Sequence, residues 1–272
     1  FIAMKRLIII LTLICCPPVF GGNQCSEKTA SPRALATAAE SAQRVLKQLE
    51  KNPASVALLA RHGTNLDKYQ LHYSHVGFVV RDHQDGKWTV IHLLNQCGSS
   101  RSDIYAQGLV NFFMDDLQSQ DARIVWLKPE IADRLATLLN SQSTTSVFDP
   151  DYNVIARYDS KQYQNSTAWV LDMLAVAQLP ATNLPKRSNA QALEKAQGFT
   201  PDVIHIDYTQ RILGGLFSSN TVFTDHSVGA RLSGEYKVVT VRSIFRYLQQ
   251  IDAVEQQWEW RNGREALTLG PA

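Results

Sequence analysis

Two apolar runs, Tyr73 to Val80 and Trp88 to Leu94, flank a short polar stretch that contains Asp85-Gly86. Runs rich in β-branched and aromatic residues, separated by an Asp-Gly pair, read as the two strands of an antiparallel hairpin. Each strand carries a histidine in its apolar part, His75 on the first and His92 on the second. Side chains alternate with period two, so the pair shares a sheet face whenever paired residue numbers sum to an odd value. Pairing across Asp85-Gly86 meets that condition. A wider loop, Arg81 to Gly86, puts His75 directly opposite His92, where one ring can orient the other. Satisfied or surface imidazoles are the other reading of the same two residues.

The remaining text mixes helical and strand periods, without internal repeat, low-complexity tract or charge block, and this argues for one α+β domain. Ser31 then Pro32 reads as an N-cap and first helical position for a helix to about Lys51. Strands are expected at Val56 to Ala60, Ala122 to Leu127, Val154 to Tyr158 and Tyr236 to Val241. Helices are expected at Ser100 to Gly108, Pro129 to Asn140, Trp169 to Val176, Ser188 to Gln197 and Ser243 to Gln250. Asn183 to Asn189 is the most linker-like stretch, too short to mark a domain boundary.

Residues 1–22 have the form of a Sec-type signal peptide, with Lys5 and Arg6 after Met4, an apolar run from Leu7 to Cys16, then Pro17, Pro18, Gly21 and Gly22. The apolar run falls short of the roughly 20 residues that span a bilayer, so residues 23–272 are expected as one exported, periplasmic or secreted domain without a transmembrane segment. Ile14 before Cys15 and Gln24 before Cys25 do not supply the small residue that lipidation needs. Lys plus Arg total 27 against 25 for Asp plus Glu, and removal of Lys5 and Arg6 leaves the two signs equal. A surface of that balance lacks the phosphate attraction on which nucleic-acid binding rests. Cys25 and Cys97 alone remain beyond the leader, in an oxidising compartment, and are expected to form a disulfide.

Tyr73-Ser74-His75-Val76-Gly77-Phe78, followed by a hairpin that ends in Val90-Ile91-His92, resembles the histidine half of the NlpC-type papain-like fold. That resemblance implies His75 as general base and His92 as the polar residue that orients it, with a nucleophile at a helix N-terminus. No cysteine follows Cys97, and Tyr163-Gln164-Asn165-Ser166-Thr167-Ala168-Trp169-Val170 resembles the nucleophile helix of the circularly permuted branch, which includes YiiX-like proteins, with Ser166 in the place of its cysteine. Tyr73, Tyr163 and Asn165 are then near-site candidates. Taken with Leu71 to Asp82, Trp88 to Gly98, Asn111 to Asp116 and Tyr163 to Leu171, the chain resembles the uncharacterised bacterial family DUF2145. The resemblance implies a permuted papain-like α+β fold, an antiparallel sheet packed on helices, and no established reaction.

Two functions follow as expectations. One is a papain-like hydrolase or acyltransferase that uses Ser166, His75 and His92 on an amide or acyl ester, its substrate a cell-envelope peptide, a lipid or a protein. The other is a non-catalytic binding module on the same fold, with Ser166 in a plain helix start. A third reading takes Arg61-His62-Gly63, which resembles the Arg-His-Gly loop of histidine phosphatases and requires a distal partner such as His226. Metal binding is the other reading of His72, His75 and His92, but His72 and His75 are three apart in an apparent strand and point to opposite faces, which argues against one site that uses both. No phosphate loop or dinucleotide fingerprint is present, and no cofactor is expected.

Overall fold

The computed structural model describes residues 29–115, 117–180, 185–211 and 220–266. The leader-like residues 1–22 and Cys25 lie outside them. The first helix, α1 (Pro32–Leu49), opens as the sequence indicates, with the Ser31 side chain accepting from the Ala34 amide at 3.1 Å and Pro32 where no amide partner is needed. Next come β1 (Val56–Arg61), β2 (His75–His83), β3 (Gly86–Asn95), β4 (Ser102–Gln107) and α2 (Leu109–Met114). After these follow β5 (Ala122–Leu127), α3 (Pro129–Leu139), α4 (Ser166–Gln178), α5 (Arg187–Ala196) and β6 (Asp202–His205). The described chain closes with α6 (Val228–Ser233), β7 (Glu235–Val238), α7 (Val241–Gln250), β8 (Val254–Arg261) and β9 (Arg264–Ala266).

Seven strands form one antiparallel sheet in the order β4-β3-β2-β1-β5-β8-β9, and β6 pairs with β7 in a separate ribbon. Strand β1 is buried along its whole length. Its residues therefore divide between two cores. Val56, Leu58 and Ala60 pack with Val76, Phe78, Ile91 and Leu93 against α3, α4 and α7, whereas Ala57 and Leu59 pack with Val79, Trp88 and Val90 against α1 and α2. The sheet is thus covered by helices on both faces, an α+β architecture.

Two expectations fail. Ser102–Gln107 is a strand, because the outer edge of β3 takes it as a pairing partner, and an edge strand with one solvated face carries the polar residues that read as helical. Val154 to Tyr158 is a turn-containing connection, with Ile155 and Ala156 buried and Val154 exposed. The Asn153 side chain binds the Ile155 and Val222 amides and the Val222 carbonyl, giving the segment a turn in place of a ladder. Strands β6 and β8 have no counterpart in the sequence reading. The hairpin turn is Gln84-Asp85, since His83 pairs with Gly86.

Candidate functional site

His75 and His92 meet as their parity requires, offset by one step from the directly opposed arrangement. Phe78 pairs with Ile91 and Val79 with Val90, a register that sets Gly77 opposite His92 and leaves His75 diagonal to it. Gly77 makes the approach possible, because a Cβ there would lie 2.9 Å from the His92 Cβ and 3.0 Å from the Ile91 carbonyl oxygen. The His75 Nε2 to His92 Nδ1 distance is 2.8 Å, and His92 Nε2 lies 3.1 Å from Gln107 Oε1 on β4. Gln107 Oε1 accepts only, so His92 donates from Nε2 and receives the His75 proton on Nδ1. Burial first, then the nearby Arg61 guanidinium, holds His92 down to about 4 and His75 well below the usual imidazole range. Both rings stay neutral at pH 7.

The face on which the pair lies decides its chemistry. The two imidazoles pack on Phe112 of α2, at 6.0 and 5.4 Å between centroids, and Arg61 lies over the same ring while bonding the Phe112 carbonyl and Asp115. Helix α4 covers the other face, where Trp169 meets Phe78 edge-on at 5.7 Å. Ser166, the first residue of α4, is therefore separated from His75 and His92 by the sheet. Ser166 lines a cavity to which neither His75 nor His92 contributes. Asn165 is the N-cap, accepting from the Ala168 amide at 2.8 Å and donating to the Val154 carbonyl. Ser166 lines the same cavity as Tyr152, whose hydroxyl is pushed up by burial. Tyr163 lies in the loop before α4, where its carbonyl accepts from Arg187.

Ser166 and Asn165 do line a cavity of about 620 Å³, walled by Leu66, Leu71, Tyr73, Tyr152, Ile204, Ile206, Phe223 and Val238, with Lys68 at its wall. Sequence reasoning missed most of these residues, since apolar side chains in a ligand cavity carry the same pattern as side chains in a core. Of the near-site candidates, Tyr73 and Asn165 border this cavity. The Tyr73 hydroxyl donates to Glu259 Oε1 at 2.5 Å.

The phosphatase arrangement is not assembled. His226 is buried against Tyr236 with its Nε2 2.7 Å from the Ile155 carbonyl, and Arg61 is committed to α2. His62 instead has its Nδ1 2.9 Å from Ser119 Oγ, and its ring lies 4.3 Å from that of His72. His72 is in the loop before β2, not in the strand, and its Nε2 lies 2.9 Å from Asp121 Oδ2. His62, His72 and Asp121 form the one set among the described residues with the chemistry and proximity of metal ligands.

The family model described as an uncharacterized protein conserved in bacteria, DUF2145, matches residues 48–248, more than half of the chain, and the chain belongs to that family. No curated protein matches. No solved structure matches.

Proposed function

We propose that this member of the DUF2145 family is an exported, non-catalytic binding module that holds a small molecule with an apolar body and an anionic head, of the kind a fatty acid presents. The cavity beside α4 carries this reading. Its volume of about 620 Å³ falls in the range of small-molecule sites, and its walls are mostly aliphatic and aromatic. At one wall stands the start of α4, where the first amides of a helix have no intrahelical acceptor and Asn165 satisfies that of Ala168. The amides of Ser166 and Thr167, the positive end of the helix dipole and Lys68 suit a carboxylate. Export rests on the leader-like residues 1–22 and on the two cysteines beyond them.

A permuted papain-like hydrolase or acyltransferase is the second reading, favoured by the chain from His75 through His92 to Gln107, which is how such a site orients its base. The position of Ser166 counts against it, because a serine hydroxyl depends on an adjacent base and the paired histidines face α2. Titration of the chain with a fluorescent fatty acid, and displacement by unlabelled fatty acid, tests the binding reading. Saturable one-to-one binding is expected, weakened at least tenfold by Ile204→Trp, which fills the cavity. Absence of saturable binding, or acyl-ester turnover that Ser166→Ala abolishes, would overturn it.

A further inference from the structure

We infer that His62, His72 and Asp121 form a binding site for a divalent transition metal, zinc in the first instance, with two imidazole nitrogens and one carboxylate oxygen as protein ligands. The topology brings them together. β1 lies between β2 and β5, with Arg61 opposite both His75 and Ala122, so the end of β1 and the starts of its two neighbours lie at the same edge of the sheet. His62 follows β1, His72 precedes β2 and Asp121 precedes β5. One ligand-capable atom from each lies within 4.8 Å of the others. Ligands of a tetrahedral zinc ion, bound at about 2.0 to 2.1 Å, are roughly 3.3 Å apart. Small side-chain rotations close the difference.

The hydrogen bond between His72 and Asp121 explains two of the three residues without a metal. It leaves His62 unexplained. That ring is 7% exposed, its Nδ1 is engaged by Ser119, and its Nε2 is buried without a hydrogen-bond partner among the described residues. An imidazole held through one nitrogen, with the other bare, is how a zinc-ligating histidine is oriented. Asp121 is held the same way, its Oδ1 accepting the Asn262 amide at 3.0 Å while Oδ2 faces His72. The His72 side chain is 20% exposed and gives the ion a route in. Three protein ligands leave a fourth position for water, the pattern of zinc sites that do chemistry rather than only hold a fold. The donor set of two imidazoles and one carboxylate also accommodates Co²⁺, which serves as a coloured probe.

Calorimetric titration of the untagged, chelator-treated chain with Zn²⁺, and of a second sample with Co²⁺ followed by its visible absorption, tests the site. One ion per chain is expected, with a Co²⁺ band of low-coordinate form, and both His62→Gln and Asp121→Asn weaken binding at least tenfold. His205→Gln, at an exposed histidine of β6, leaves the affinity unchanged. Lack of one-to-one binding, or an affinity that His62→Gln does not move, overturns the proposal. Should the variants fail to fold, X-ray absorption of the zinc-loaded wild-type chain decides the matter. Two imidazoles with oxygen ligands support the site, and sulfur or a single imidazole refutes it.

Discussion

Acid should destabilise this protein through His92, and the size of the effect follows from its surroundings. The ring is fully buried between Gln107, His75 and Phe112, and its folded pKa of about 4 stands below the ordinary 6.5. A histidine depressed in this way binds its proton more readily in the unfolded chain. Stability is therefore complete above about pH 6.5, falls as the pH drops towards 4, and loses nothing further from this group below that. Between pH 7 and 4.5 the contribution lost is about 2.5 kcal/mol, at roughly 1.4 kcal/mol per unit. Other groups titrate in the same window, and the buried carboxyl of Asp172, raised to about 6 chiefly by burial, acts in the opposite direction. The difference between two chains removes that background. Urea unfolding of wild type and His92→Gln at pH 7, 6, 5 and 4.5 should show wild type losing about 2.5 kcal/mol more than the variant over the range. Parallel curves for the two chains would refute the assignment of a neutral, buried His92.

Gly77→Ala should cost roughly 1–3 kcal/mol in urea unfolding, because the new methyl meets the His92 Cβ at 2.9 Å and the Ile91 carbonyl at 3.0 Å, and a cost under about 0.5 kcal/mol would mean the strands part easily there. Asn165→Ala should lower stability by about 1–2 kcal/mol through loss of the cap, while Ser166→Ala stays within about 1 kcal/mol, and the reverse order of the two would displace the cap to Ser166. Thiol titration of the unreduced chain beyond residue 22 should find Cys25 and Cys97 unreactive, as a disulfide requires, and two free thiols would exclude the bridge.

Strong periodicity made most of the fold legible. The hairpin of β2 and β3, strand β5 and helices α1, α3, α4 and α5 stand close to where apolar spacing and caps put them. β4 and β8 were not legible as strands, because Ser102–Gln107 and Val254–Arg261 carry many polar residues and owe their form to pairing with β3 and β5. The meeting of His75 and His92 was legible because parity is a property of the hairpin alone. The face that α4 would cover was not. That helix is buried from Thr167 to Ala177, so its apolar residues surround the axis and single out no side to pack. The resemblance groups Ser166 with the paired histidines, whereas α4 packs on the opposite face of the sheet from them, and the His62, His72 and Asp121 cluster was not legible because its members come from three separate segments and His72 reads as part of the strand.

Photolabelling of the full chain with a diazirine-bearing fatty acid, followed by peptide mapping, addresses the central claim most directly. The account predicts cross-links within residues 64–73, 152–155, 204–206 and 238–241, the segments that contribute side chains to the wall of the cavity beside α4, and their loss on competition with unlabelled fatty acid. Label concentrated on α1 and α2, around Phe112 and the paired histidines, or no label that competitor removes, would contradict it.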